Sequence, residues 1–127
     1  MTLLRTALVF ALLNLTVFAQ GKNPDASDAS AAIVPGGVAI YATLTNPTMY
    51  DAYVQSGTSD AGKVELREGG KTTANITIPA YGSVELEANG PFVLLSELKG
   101  QPKAGDTINL KLMTDGGVAI AITAVVK

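Results

Sequence analysis

Side chains that commonly bind metals or act as nucleophiles are scarce in this chain of 127 residues, which has no histidine and no cysteine. Beyond the initiator, only Met49 and Met113 carry sulfur. Thioethers suit Cu(I), but Met49 follows the Asn46-Pro47 turn and Met113 ends a predicted strand. Methionine is also an adaptable packing residue, so these two are weak metal candidates and a role in loop or core packing is favoured. We expect no bound cofactor.

Oxygen and amine side chains offer little more. Ser96-Glu97-Leu98-Lys99 matches the Ser-x-x-Lys pattern of acyl-transferring enzymes, in which lysine activates the serine. That chemistry needs a helix to bring both groups to one face, whereas here a strand gives way to a turn. Glu65, Glu85 and Glu87 alternate with apolar residues, which is typical of a solvated strand face, although they could hold a hard cation loosely. The sequence therefore predicts no enzyme.

The first residues have the organisation of an export signal. Arg5 precedes an apolar run of 13 residues from Thr6 to Phe18, and small residues follow. This run is too short to span a bilayer, for which about 20 residues are needed. We predict cleavage after Ala19, no membrane span afterwards, and a periplasmic or secreted protein; an uncleaved anchor is the alternative. The absence of cysteine at the cleavage site excludes a bacterial lipoprotein, on the sequence alone.

The mature chain is predicted to form one domain. Residues 20–34 are small and polar, with Asp-Ala-Ser written twice, and predict a flexible lead-in before a domain at 35–127. Hydrophobic residues make up 47% of the chain, charged residues 16%, and the net charge is −2. Because the basic residues are scattered, we expect no nucleic acid partner.

An all-β fold follows from the pattern after residue 34. Apolar and charged residues alternate in Val64-Glu65-Leu66-Arg67 and in Val84-Glu85-Leu86-Glu87, as in strands with one buried face. Asp115-Gly116 is a hairpin signal. Short strands at this spacing predict an antiparallel two-sheet sandwich. About eight strands are expected, near 36–46, 51–57, 62–68, 72–78, 82–88, 91–97, 106–113 and 117–126.

Five segments in order resemble the periplasmic copper chaperone family PCuAC: 41–47 (YATLTNP), 61–66 (AGKVEL), 78–86 (IPAYGSVEL), 95–99 (LSELK) and 104–108 (AGDTI). The resemblance covers about Gly37 to Val126. It implies a cupredoxin-like Greek-key β-sandwich. It also implies a protein that holds Cu(I) with histidine and methionine and passes the ion towards the copper site of cytochrome oxidase.

The resemblance fails at the family's ligand positions, which fall on Arg67, Phe92 and Leu94 in this sequence. Arg67 stands where the family has a histidine after Val-Glu-Leu, and Phe92 and Leu94 replace a His-x-Met pair. The family's other methionine would lie in the segment 68–78, which is shorter here and contains none. A guanidinium has no lone pair to give, and phenyl and isobutyl groups are apolar, so none of the three can bind copper.

Two hypotheses remain. In the first, the domain is a degenerate member that has lost direct Cu(I) binding and acts as a non-catalytic binding module, with a protein partner at Arg67, Phe92 and Leu94. In the second, it still serves copper delivery as a chaperone or accessory, through a non-standard or shared site that uses Met49 and Met113. Whether the apolar residues at 92–94 form an open patch or are covered by the 69–72 turn is left open by the sequence.

Overall fold

A computed structural model describes residues 23–127, which form an all-β domain, as predicted. No helix among these residues is long and apolar enough to cross a membrane. Ten strands follow one another along this part of the chain: β1 (Asp25–Val34), β2 (Gly37–Asn46), β3 (Ala52–Ser59), β4 (Lys63–Glu68), β5 (Lys71–Thr72), β6 (Ile76–Ile78), β7 (Gly82–Glu85), β8 (Pro91–Ser96), β9 (Thr107–Thr114) and β10 (Ala119–Val126).

The strand expected at 72–78 is divided into β5 and β6. Between them, the Thr73 amide donates to Leu66 O at 2.9 Å and the Thr73 hydroxyl donates to Asn75 O at 3.2 Å. These bonds hold residues 73–75 against β4 and interrupt the pairing, so the chain joins a different neighbour, β3, from Ile76 onward. The other predicted strands lie within a few residues of their expected positions.

The prediction of a flexible lead-in is wrong for residues 25–34, which form strand β1. Ala31 is buried, and Ala26 and Ala29 pack against the core. A register shift between Ser27 and Ser30 changes which residues face inward, so a single period of two is absent from the sequence. Small side chains therefore serve here as core-facing strand residues. The predicted signal segment and residues 20–22 lie outside the described part of the chain.

All ten strands belong to one continuous hydrogen-bonded sheet, in the order β5-β4-β8-β2-β1-β10-β9-β3-β6, with β7 also paired to β2. The expectation of purely antiparallel pairing is wrong at one place, because β1 pairs with β10 in parallel. The sheet curls until β3 meets β4: a Cβ added at Gly57 would lie 2.7 Å from a methyl carbon of Val64. The curled sheet encloses a single core, so its strands have one buried face, as the strands of a sandwich do. This shared pattern explains why the sequence predicted a sandwich.

Alternating apolar residues of the long strands fill that core. β9 and β10 bury every second residue, and the Asp115-Gly116 hairpin between them is confirmed, with the Gly117 amide donating to Thr114 O at 3.0 Å. β2 lies centrally, pairing with β8 through its first half and with β7 through its second. Its first residue is glycine because a Cβ there would lie 1.9 Å from Leu95 O.

Candidate functional site

The three positions singled out by the resemblance lie on one outward face of the sheet. β4 pairs with β8 so that Arg67 is directly opposite Phe92 and Glu65 is opposite Leu94. The alternate residues Leu66 and Val93 are buried in the core. Pairing across the sheet thus gathers residues that are far apart in sequence. We call this surface the β4–β8 face; it comprises Tyr41, Glu65, Arg67, Phe92 and Leu94.

Arg67 is held by hydrogen bonds within the domain. Its Nη2 donates to Gly70 O at 2.8 Å, and its Nη1 lies 3.4 Å from both Glu65 Oε1 and Thr72 Oγ1. The side chain is 25% exposed. Among the described residues, its Nε is the only buried side-chain nitrogen or oxygen without a hydrogen-bond partner. The guanidinium is therefore fixed against the β4–β5 turn.

Phe92 and Leu94 are half-buried, which answers the question that the sequence left open. The Phe92 ring packs against the core cluster and lies 6.2 Å from the Tyr41 ring, between centroids, at an interplanar angle of 60°. This is the tilted arrangement that aromatic pairs prefer. The 69–70 turn bonds to Arg67 and, through the Gly69 amide, to Gly90 O at 3.0 Å. The patch is thus a partly covered apolar strip beside a fixed cation.

Glu65 gives the face a second charge. Ser96 donates to Glu65 Oε2 at 2.5 Å, and this hydrogen bond is the main reason why the pKa of Glu65 is lowered, with the charges of Lys63 and Arg67 acting in the same direction against partial burial. The hydroxyl proton of Ser96 is directed to this carboxylate. Ser96 also lies on a strand, so the Ser-x-x-Lys pattern lacks the helix that its chemistry needs. Sequence periodicity could have placed Glu65 outward, but it could not have found Ser96.

The two methionines lie on different elements. Met49 is in the β2–β3 loop and is 60% exposed, whereas Met113 lies near the end of β9, opposite Ala119 and Ser56. Of the acidic candidates, Glu85 accepts a hydrogen bond from Thr43 and Glu87 is exposed. Within residues 23–127 no three or more histidine, cysteine, aspartate or glutamate side chains group closely enough to hold a metal ion.

A second surface was missed by sequence reasoning. Met49, Tyr50 and Tyr81 are exposed together where the β2–β3 and β6–β7 loops meet, since the Tyr81 amide donates to Thr48 O at 3.0 Å. We call these three residues the tyrosine end. The only available signal was the presence of large side chains in predicted turns, where small polar residues are usual.

Residues 24–126 match the family described as "Putative lipoprotein LpqE-like". The chain belongs to this family. No curated protein matches it. The description fits an exported protein, although the chain has no cysteine, the residue to which the lipid of a bacterial lipoprotein is attached.

Structures of PCuAC domains resemble this one. The copper-bound PCuAC domain from PmoF2 has a TM-score of 0.70 and 15% identity, covering 80% of this chain and 90% of that one. The apo PCuAC domain from PmoF1 has a TM-score of 0.69 and 16% identity, covering 80% and 91%. The Cu(I) form of DR1885 from Deinococcus radiodurans has a TM-score of 0.67 and 28% identity, covering 80% and 78%. The predicted resemblance to PCuAC domains and their cupredoxin-like fold is confirmed.

Proposed function

We propose that this LpqE-like protein is an exported, non-catalytic binding module that has lost direct Cu(I) binding and uses the β4–β8 face to contact a protein partner. The observation that carries the proposal is the position of Arg67 beside Phe92 on one face. Arg67, Phe92 and Leu94 correspond to the ligand positions of copper-binding relatives, yet none of them has a lone pair for a soft cation.

Electrostatics and packing support the same proposal. A permanent cation at the first ligand position repels Cu(I), and its guanidinium is already bonded to Gly70 O at 2.8 Å. The half-buried Phe92 and Leu94 provide apolar area that a partner could cover. Buried aromatic residues and arginine are also the side chains that most often dominate the energy of protein interfaces. The face therefore retains features suited to protein contact while lacking those suited to metal.

Copper titration tests this proposal. We expect the purified protein, from residue 20 onward, to take no Cu(I) from a competing chelator, with DR1885 measured alongside as the copper-binding reference. The triple variant Arg67→His/Phe92→His/Leu94→Met should gain Cu(I) uptake, because it places two imidazoles and a thioether on the same face. Tight stoichiometric uptake by the unmodified protein would overturn the loss of copper binding.

The outward face of β9 and β10 offers a matched control. Lys111 is paired with Ala121, and Thr123 follows two residues later, which repeats the arrangement of Arg67, Phe92 and Leu94. The variant Lys111→His/Ala121→His/Thr123→Met adds the same three ligand types in the same spacing. Uptake confined to the β4–β8 variant would assign the site to that face. Equal uptake by both variants would show that two histidines and a methionine in this spacing bind Cu(I) on any strand pair. The proposed correspondence with the relatives' site would then lose its support.

A role in copper delivery through a shared site is the second candidate, because the thioether of Met49 is exposed. Two molecules could then contribute sulfur ligands to one ion, as an accessory to a ligand-bearing chaperone. Replacing Met49 and Met113 by leucine should abolish any effect of the protein on copper transfer in this case. Unchanged copper transfer by the double variant would eliminate the candidate.

Export is the remaining part of the proposal. The apolar run before Ala19 supports cleavage at that residue and release into the periplasm or medium. Intact mass measurement of the protein purified from its native host should give a chain that begins at Gln20. A retained residue 1 would instead indicate an anchored form.

A further inference from the structure

The tyrosine end is an exposed apolar surface in a fixed frame. Met49, Tyr50 and Tyr81 are 60%, 73% and 72% exposed, so their side chains contribute little to the core. Single exposed hydrophobic residues are common on soluble proteins, whereas a contiguous group suggests contact with another molecule. Here two loops present the group jointly.

A buried asparagine holds these loops in place. The amide of Asn46, which is 1% exposed, donates to Tyr50 O and to Ile78 O, both at 2.9 Å. Its Oδ1 accepts from the Thr48 amide at 3.0 Å and from the Thr48 hydroxyl at 2.7 Å. Fixed loops lose little entropy when they bind, so the surface is preorganised.

Tyr81 occupies its position at a conformational cost. Its φ of 53° is in the left-handed region, which costs a residue with a Cβ about 1 kcal/mol. The Ala80 amide, bonded to Asp51 Oδ1 at 2.9 Å, and the Tyr81 amide, bonded to Thr48 O, enforce this conformation. Because the ring is exposed, packing within the domain does not compensate for the cost.

The charged residues of the described loops that form and adjoin the tyrosine end are acidic. Loops 47–51, 79–81 and 115–118 contain Asp51 and Asp115 and no lysine or arginine. Asp115 lies beside the first loop, since its Oδ1 accepts from the Tyr53 amide at 3.1 Å and it lines a cavity of about 220 Å³ together with Tyr50 and Asp51. The surface thus combines π faces with negative charge.

We propose that the tyrosine end binds a basic segment of a partner protein, whose arginine or lysine side chains lie over Tyr50 and Tyr81 and face Asp51 and Asp115. Cations are attracted to the faces of aromatic rings, and arginine is the most frequent partner. The carboxylates add longer-range attraction and favour a basic partner over an acidic one. This surface is separate from the β4–β8 face, so the inference stands or fails independently of whether that face binds copper.

Binding of a capped hexa-arginine peptide tests the inference. We expect saturable binding in titrations followed by NMR, with the largest shifts at Tyr50, Tyr81 and their neighbours. The variant Tyr50→Ser/Tyr81→Ser should weaken binding about tenfold, since each cation–π contact contributes about 0.5–1 kcal/mol at an exposed site. The matched control is Ile33→Ser/Val125→Ser, which removes two exposed hydrophobic side chains elsewhere and should leave the affinity unchanged.

A second pair of variants tests the charges. Asp51→Asn/Asp115→Asn keeps the Oδ1 acceptors that bond to the backbone while removing both charges. We expect weaker binding with a smaller dependence on salt, and no binding of capped hexa-glutamate. Equal affinity of the tyrosine variant, or no saturable binding by the unmodified protein, would overturn the inference. So would tyrosine-dependent self-association in sedimentation, or tyrosine-dependent binding to phosphatidylcholine vesicles, since each identifies another occupant.

Discussion

The β4–β8 face and the tyrosine end use similar side chains in opposite ways. On the β4–β8 face, Phe92 packs against the core and Tyr41, and Arg67 bonds to the adjacent turn. At the tyrosine end, the backbone is bonded and the side chains of Tyr50 and Tyr81 remain exposed. Most groups of the first surface are bonded or packed within the domain, whereas the side chains of the second surface are exposed to solvent.

This difference shows that similar side chains can be held within the domain at one surface and left exposed at another. The arginine and the two apolar residues of the β4–β8 face need partners, and neighbouring residues of the same domain supply most of them. Glu65 and Gly70 contact the guanidinium, and Tyr41 contacts the Phe92 ring. The β4–β8 face thus contributes to stability. A partner at this face would contact only the part of it that remains exposed. The tyrosine end has no comparable internal role for its rings.

The largest expected effect lies beneath the tyrosine end. Asn46→Ala removes four hydrogen bonds, among them the buried one to Ile78 O and the part-buried one from the Thr48 amide. We expect the free energy of unfolding to fall by about 3 kcal/mol, because each buried unsatisfied polar group costs about 1–3 kcal/mol. Urea denaturation measures this loss. The exposed Asn75→Ala serves as control, and a loss as small as the control's would mean that the loops are not held by Asn46.

A pair of alanine variants compares the two surfaces directly. Phe92→Ala should lower the free energy of unfolding by about 2 kcal/mol, less than for a fully buried phenylalanine, because the ring is only half-buried. Tyr50→Ala should change it by less than about 0.5 kcal/mol, since the ring is 73% exposed. Equal losses in urea denaturation would contradict the distinction drawn between the surfaces.

The smallest effect is the pH dependence contributed by Glu65. Its pKa is lowered in the folded state, chiefly by the hydrogen bond from Ser96, so the ionised form is favoured by folding. Its stabilisation is fully present above the pKa of the unfolded chain, about 4.3 for glutamate, and is lost as pH falls through the lower folded value. Between about pH 5 and pH 3, the free energy of unfolding should therefore change less with pH in Glu65→Gln than in the unmodified protein. The difference should be at most about 1 kcal/mol.

The matched control for Glu65→Gln is Glu87→Gln, at an exposed carboxylate. Denaturation midpoints measured across this pH range for the three proteins separate the contribution of Glu65 from the general effect of losing one negative charge. Parallel curves for the unmodified protein and the Glu65 variant would show that the hydrogen bond from Ser96 to Glu65 does not stabilise the folded protein in solution.

Local patterns predicted most strands but not their assembly. Alternation in Val64-Glu65-Leu66-Arg67 correctly placed Leu66 inward and Glu65 and Arg67 outward. The opposition of Arg67 and Phe92 depends on register between distant strands, which no local pattern encodes. β1 was missed because alanine and serine have little strand propensity and a register shift breaks its period. Tyr81 was missed because glycine, present at the next position, is the usual residue at positive φ.

The parallel pairing of β1 with β10 also has a consequence for the order of folding. The first described strand lies in the sheet between β2 and β10, so its second neighbour is the last strand that the structure describes. Hairpins such as β9–β10 can form from adjacent residues, but the middle of the sheet requires contacts that span almost the whole domain. Such nonlocal topology folds slowly. Closure of the sheet must therefore await the synthesis of β10.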